Sequence, residues 1–261
     1  MAPQAMEMAN PAGNADPQKI KELDALTEIL NKDYGELPSL ELLDIMINNT
    51  FKDKIALVSS FGTEAALLLA LVADVNKSTP VIFLDTLKHF PETLEYRDDL
   101  ISTLGLKDVR SIQPEPSAIK AADPNGDLAK TNPDACCYLR KVVPLEEALH
   151  GFDAWINGRK RIHGGSRAAL PRMEHDDRRV KVNAIATWTQ EDIDAEWEKR
   201  KLPEHPMVQW GYTSVGCIAP CTSLPKPGEG KRSGRWAQFD KQECGIHSLE
   251  GKWDDTSGGG I

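Results

Sequence analysis

The five cysteines of this 261-residue chain fall into three places. Cys136 and Cys137 are adjacent, Cys217 and Cys221 stand in Gly216-Cys217-Ile218-Ala219-Pro220-Cys221-Thr222, and Cys244 is alone in Glu243-Cys244-Gly245-Ile246-His247. Thiolates are both soft metal ligands and attacking groups. Four paired thiols plus one isolated thiol therefore read as a metal or cluster site accompanied by a separate nucleophile. Zinc also accepts paired thiolates, usually from two turns that each space their cysteines by a few residues. Adjacent Cys136 and Cys137 strain a tetrahedral ion, and a larger cluster with separated iron corners suits a vicinal pair on a helix better. Four inert buried thiols are the remaining reading, although structural cysteines are usually scattered singly.

Two turns carry residues suited to anions and nucleosides. Ser59-Ser60-Phe61-Gly62-Thr63-Glu64 follows a predicted strand and opens a predicted helix. Such a turn exposes backbone N–H groups at the positive end of a helix dipole, where phosphate or sulfate binds well. Gly62 permits close approach of an anion. The Gly-Lys-Ser/Thr of a Walker A loop and the Gly-x-Gly-x-x-Gly of a dinucleotide fingerprint are both absent, and taken alone the turn reads as an ordinary capped helix start. The second turn, Leu84-Asp85-Thr86-Leu87-Lys88-His89-Phe90-Pro91, ends the next strand. In open parallel sheets ligands bind at that edge. Asp85 and Thr86 suit ribose hydroxyls or base edges, and equally a plain strand end before a Pro-started helix. The lone His89 reads as a surface residue.

The charge is unevenly distributed. Between Trp155 and Val182, eight bases (Arg159, Lys160, Arg161, Arg167, Arg172, Arg178, Arg179, Lys181) face three acids (Glu174, Asp176, Asp177), in a chain of net charge −9. Lys226, Lys231, Arg232, Arg235 and Lys241 form a second cluster, opposed by Glu229 and Asp240. Two basic loops on an acidic protein point to a small anionic substrate and argue against a coat for nucleic acid or anionic membrane. Solvated surface charge is the alternative for any single run. The longest apolar run, Ala65 to Ala73, is far short of the roughly 20 residues that span a bilayer. No membrane span is expected. The first eighteen residues, rich in Ala, Pro and Asn, do not read as a secretory signal. An odd number of cysteines in that setting favours a reducing cytoplasm over a disulfide framework.

Stepping through the chain, strands are predicted at Ile55 to Ser59, Val81 to Asp85, Val109 to Gln113, Ala154 to Asn157 and Val180 to Asn183. Helices are predicted at Lys19 to Tyr34, from Ser39 through Ile47, and at Thr63 to Asn76, Pro91 to Leu104 and Asp134 to His150. A last helix runs from Thr189 through Lys199. Strands alternating with helices imply right-handed crossovers and an α/β fold, a parallel sheet flanked by helices. Residues 1–18 are expected to be flexible, 19–203 to form the α/β domain, and 204–261 to be an irregular C-terminal segment, since nothing after Pro203 reads as regular.

Taken together, Ser59 to Glu64, Leu84 to Thr93, Cys136-Cys137-x-x-Arg140-Lys141, Gly158-Arg159-Lys160-Arg161, Arg232-x-Gly234-Arg235-Trp236 and Glu243 to His247 resemble the assimilatory sulfonucleotide reductases. The resemblance is closest to their thioredoxin-dependent adenylyl-sulfate (APS) branch and covers roughly Ala56 to His247. It implies a Rossmann-like, adenine nucleotide α-hydrolase-like fold that reduces the sulfate of APS to sulfite and releases AMP, in sulfate assimilation and cysteine biosynthesis. It implies a four-iron four-sulfur (4Fe-4S) cluster on Cys136, Cys137, Cys217 and Cys221, with Lys141 placing positive charge nearby. The branch using the 3'-phosphorylated substrate, PAPS, generally lacks the cluster cysteines, which favours APS. Cys244 is the implied nucleophile, forming an S-sulfonate that a dithiol from thioredoxin or a glutaredoxin-like protein resolves. Ser59, Ser60, Phe61, Gly62, Thr63, Glu64, Leu84, Asp85, Thr86, Lys141, Arg159, Arg161, Arg167, Arg232, Arg235 and His247 are the implied substrate-binding residues, and a homo-oligomer is expected. The chain departs from the family at one point: the second pair there is Cys-x-x-Cys, whereas Ile218, Ala219 and Pro220 separate Cys217 from Cys221. The added residue must be absorbed as a bulge or it swings one thiolate away.

Overall fold

In a computed structural model of the chain, residues 16–239, 241 and 243–247 are described. The helix α1 (Pro17–Tyr34) starts where Asp16 accepts a hydrogen bond from the Gln18 amide and Pro17 supplies a preset φ at the first position. It therefore begins two residues inside the stretch expected to be flexible. The helix α2 (Ser39–Asp44) runs on through a π-helical turn, Ile45–Thr50. Then β1 (Ile55–Val58), α3 (Ala65–Val75), β2 (Val81–Leu84), α4 (Pro91–Leu104) and β3 (Val109–Ile112) alternate as expected. Two short helices, α5 (Pro116–Ala122) and α6 (Leu128–Thr131), were not legible in the pattern, being too brief and polar to show a period.

The predicted helix over 134–150 is a broken run: α7 (Pro133–Cys137), a π turn at Tyr138–Val142, and α8 (Val143–Ala148). Pro144 removes the donor that the carbonyl of residue 140 would take in a regular helix, and the turn before it widens. The strands β4 (Ala154–Ile156), β5 (Met173–His175) and β6 (Val180–Val182) follow, then α9 (Gln190–Arg200). Thr189 and Asp192 close the start of α9 with a reciprocal capping box.

The sheet order is β3-β2-β1-β4-β6-β5. All neighbours run parallel except β5, which pairs antiparallel with β6. The all-parallel expectation is corrected at that edge strand. Met173–His175 has only three residues inside the basic stretch, too short for alternation to show. The free edge of β5 is covered: Asn31 of α1 donates to the Met173 carbonyl at 2.7 Å and accepts from the Met173 amide at 3.0 Å.

Alternation along the strands divides the core. Leu57, Phe83 and Ile156 enter a large cluster with α1, α2, α3, α4 and α9, while Ala56, Ile82, Leu84 and Trp155 enter a smaller one with Leu145 and Leu149 of the α8 region. Residues 66 to 73 of α3 are all buried, so this helix is apolar on every side and sits between the sheet and its neighbours. No helix among the described residues is long and apolar enough to cross a membrane.

Beyond Pro203 a single 3-10 turn, Pro206–Trp210, is the one regular element among the described residues. The rest of the described tail is irregular, as expected, and meets the body at the isolated bridge between His89 and Cys217.

Candidate functional site

The sheet order reverses direction at β1: β2 lies on one side and β4, reached later in the chain, on the other. The carboxyl ends of β1 and β4 thus diverge, leaving the crevice in which open α/β sheets bind ligands. A cleft of about 240 Å³ lies there. Its floor is Val58 to Ser60, Gly62 and Asn157 to Lys160, and residues 213–216 with Lys231, Arg232, Arg235, Trp236, Glu243, Cys244, Ile246 and His247 close the opposite wall.

The loop after β1 is held by Phe61, whose backbone has φ 48° and whose ring is buried edge-on against Phe83 at 5.5 Å. This left-handed residue is strained. Anchoring its ring in the core leaves Ser59, Ser60, Gly62 and Thr63 lining the cleft. A Cβ on Gly62 would come within 3.1 Å of the Val215 carbonyl, and Thr63 Oγ1 donates to the Thr213 carbonyl at 3.2 Å. The close approach that Gly62 permits is therefore used by the opposite wall.

Seven cationic side chains line the cleft: Lys141, Arg159, Lys160, Arg167, Lys231, Arg232 and Arg235. Glu64 joins the walls by pairing with buried Lys160 at 2.8 Å and with Lys231 at 3.1 Å. Burial works against its carboxylate, but the two ammonium groups win and hold its pKa down to about 2. Arg159 pairs with Glu174, and Arg167 grips Glu243 through two parallel hydrogen bonds of 2.6 and 2.7 Å. Burial, followed by the charge of Lys160, brings His163 down to about 4. His247 lies flat on the Trp155 indole, with centroids 5.5 Å apart, and its Nδ1 is buried without a hydrogen bond. Burial and four surrounding cations, Arg159, Lys181, Arg167 and Arg232, keep that ring neutral.

The thiols lie beside this basic wall. Cys136, Cys137, Cys217 and Cys221 are all buried, and Cys244 is half-buried and lines the cleft. Burial raises the pKa of Cys136 to about 11 and of Cys137 to about 12. Cys217 is different: burial opposes its thiolate, but Lys141, a hydrogen bond from Thr86 Oγ1 at 3.3 Å and Arg235 pull its pKa below the usual value. Lys141 is held charged by Cys217, Cys244 and Cys137 in spite of its burial. The extra residue between Cys217 and Cys221 is absorbed outward. The Cys221 amide donates to the Ile218 carbonyl at 3.1 Å, closing a turn in which Ile218 is 38% exposed while both cysteines stay inside. Arg235 lies over the Trp236 ring at 4.6 Å and donates to the Cys221 carbonyl, tying the basic wall to the second thiol pair.

Of the residues singled out in the sequence, Ser59, Ser60, Gly62, Thr63, Glu64, Leu84, Lys141, Arg159, Arg167, Arg232, Arg235, Cys244 and His247 line the cleft together. Four stand off its wall. Phe61 is in the core. Asp85 accepts from the Leu87 amide and the Gln113 side chain. Thr86 is fully buried against Cys217, and Arg161 turns away to the Leu170 carbonyl at 2.8 Å. His89 is half-buried in the cleft wall with its ring 4.9 Å from Phe83, so the surface reading is corrected. Burial lowers its pKa to about 4. Trp155, Asn157, His163 and Val215 also line the cleft without having been singled out, and Trp236 and Glu243 do so after being quoted only as parts of motifs. Their signals were an apolar strand residue, a strand-end amide and the position beside Cys244, none of which names a partner.

Comparison with known proteins agrees with this geometry. Over residues 54–224 the chain matches the phosphoadenosine phosphosulfate reductase domain. It is 44% identical to the adenosine 5'-phosphosulfate reductase of Mesorhizobium japonicum, across 98% of each chain. It is 47% identical to the enzyme of that name from a Chelativorans species, covering 88% of this chain and 94% of the relative. Among solved structures, the phosphoadenylyl-sulfate reductase of Candida auris, a phosphate complex, superposes with a TM-score of 0.61 at 25% identity, covering 78% of this chain and 96% of that one. With the nucleotide-type crevice, the basic wall and a match over most of its length, the chain belongs to the phosphoadenosine phosphosulfate reductase family.

Proposed function

We propose that the chain reduces adenylyl sulfate to sulfite and AMP through an S-sulfonate on Cys244. One observation supports the reading above the others: Cys244 borders the same cleft as the β1 loop and seven cationic side chains. A thiolate attacks in line on the anhydride sulfur, the sulfur–oxygen bond breaks, and AMP leaves with the electron pair. The basic wall neutralises phosphate and sulfate during this step, with Arg232 and Arg235 on the segment that leads to the nucleophile. A thiolate from a thioredoxin or glutaredoxin-like dithiol then attacks the Cys244 sulfur and expels sulfite. The partner's second thiolate resolves the mixed disulfide and returns Cys244 to its thiolate. Both electrons come from the partner.

The four paired cysteines fit a 4Fe-4S cluster. They are buried together beside Lys141, and Cys217 receives the hydrogen bond and positive field that a bound thiolate needs. Among the described residues no three His, Cys, Asp or Glu side chains meet where one metal ion could be held, so the fit rests on the pairing and burial of the thiols and the field at Cys217. When bound, such a cluster supplies structural closure and negative charge opposite Lys141, while the chemistry at sulfur belongs to Cys244 and the cationic wall. Residues 16–203 then serve as the nucleotide-binding body and 204–247 as the carrier of one ligand pair and the nucleophile.

APS is favoured over its 3'-phosphorylated form because the relatives at 44 and 47% identity carry the adenosine 5'-phosphosulfate name. The test is incubation of anaerobically prepared protein with APS and no reductant, followed by intact-mass analysis. The expected result is the gain of one SO3 group, mapped to Cys244. No adduct, or an adduct on another cysteine, overturns the reading.

A further inference from the structure

Arg167 and Glu243 are separated by 76 positions in the chain, yet they form a two-point pair, Nε to Oε1 at 2.6 Å and Nη2 to Oε2 at 2.7 Å. The Arg167 side chain is 9% exposed and that of Glu243 25%, so the pair is shielded on one side. Arg167 closes the short helical turn Gly165–Arg167, and its Nη1 lies 3.3 Å from His163 Nδ1, so the guanidinium is supported from its own loop. Glu243 immediately precedes Cys244. Consecutive Cα atoms are about 3.8 Å apart, so fixing the one residue confines the other. The planar fork of arginine holds a carboxylate in both distance and orientation, which a single point charge does not.

We propose that Glu243 is a positioning residue: its forked pair with Arg167 docks the segment bearing Cys244 against the cleft and presents the thiolate to the bound nucleotide. The inference rests on the proposed S-sulfonate chemistry for what is attacked, while the docking is a property of the chain without substrate. It assigns Arg167 to an internal partner and leaves the substrate's negative charge to the other cations of the wall. The neighbouring ties cooperate with it: Lys181 donates to the His247 carbonyl at 3.1 Å, and Lys241 pairs with Asp134 beside the vicinal cysteines.

The test compares full-length, anaerobically prepared wild type with Glu243→Gln, Glu243→Asp and Arg167→Lys. Without nucleotide, Cys244 alkylation by iodoacetamide is followed by peptide mass. Glu243→Gln is expected to raise its rate about 10-fold, the factor that corresponds to losing one charge-assisted pair. Arg167→Lys, which keeps the charge but not the fork, is expected to behave alike, and Glu243→Asp to fall between. In single turnover at saturating APS, Glu243→Gln is expected to slow S-sulfonate formation about 10-fold while the Kd for APS changes less than about twofold, the signature of lost positioning rather than lost binding. An unchanged alkylation rate in both Glu243→Gln and Arg167→Lys overturns the proposal. So does tighter APS binding with undiminished S-sulfonation in Glu243→Gln, which would make Glu243 a substitute anion that substrate displaces. Wild type that forms no adduct, with faster alkylation in Glu243→Gln, supports docking by Glu243 and overturns the substrate reading instead.

Discussion

On one wall of the cleft, Ser59, Asn157 and Arg159 extend from β1 and β4, strands paired to each other and to β2 and β6, with side chains in two apolar clusters. On the other wall, Val215, Gly216, Arg235 and Cys244 belong to a segment with one 3-10 turn and isolated bridges. That segment is held by Glu64 to Lys231, Arg167 to Glu243, Lys241 to Asp134, the Trp155–His247 stack and the cations around Trp236. The first wall is fixed by burial, which is insensitive to charge. The second is fixed by polar pairs and thiols, which respond to substitution, salt and metal. Cys244, the proposed nucleophile, is carried on the second wall and can be ordered or released without disturbing the crevice.

Ways to break this asymmetry follow from its parts. Cys244→Ser removes the sulfur proposed to react and leaves the body alone. Sulfite production is expected to fall by at least about 10⁴-fold, with APS binding retained in equilibrium dialysis. Cys217→Ser removes one buried thiol of the second pair. Iron affinity is expected to fall by more than about 100-fold, since even indirect supports of a metal site cost that much. Limited proteolysis should then cut within 204–247 while the α/β body stays intact.

Gly216→Ala tests the wall more gently, because a Cβ there would fall on the Arg235 guanidinium. The far end of that side chain can move, so stability should change by no more than about 1 kcal/mol. Loss of a charged contact should weaken APS binding about 10-fold, measured by titration.

The remaining effects are of pH. Glu64 titrates at about 2 in the fold against 4.5 otherwise, so the stability it contributes is complete above 4.5 and is lost as pH falls from there towards 2. His205, where the tail leaves the body, is buried with Nε2 3.0 Å from Thr93 Oγ1, and burial lowers its pKa from 6.5 to about 4. Its neutral ring stabilises the fold above pH 6.5, and that contribution is lost as pH falls through 4. Unfolding free energy from denaturant titrations should decline between pH 7 and 4, and wild type should lose on the order of 2 kcal/mol more than His205→Gln over that range.

The body was legible because its signals are local. The apolar runs of β1 and β2 bounded by turn residues, the proline that opens α4 and the Thr189–Asp192 cap of α9 each specify an element within a few residues. The grouping of cysteines likewise singled out Cys244 and the two pairs from chemistry alone. Three-residue β5 was not legible, because its only reason to be extended is the β6 edge beside it.

What the chain determined by itself is therefore the alternation of strands and helices and the inventory of reactive groups, since both depend on residue type and near-neighbour spacing. Their pairing was settled in three dimensions. Thr86 turns inward to Cys217 and Arg161 outward to Leu170, Ile218 takes up the added residue of the second cysteine pair, and Glu243 finds Arg167 across 76 positions. Charge and hydrogen bonding act over a few ångströms of space, and the distance between two residues along a folded chain is set by the sheet that brings them together.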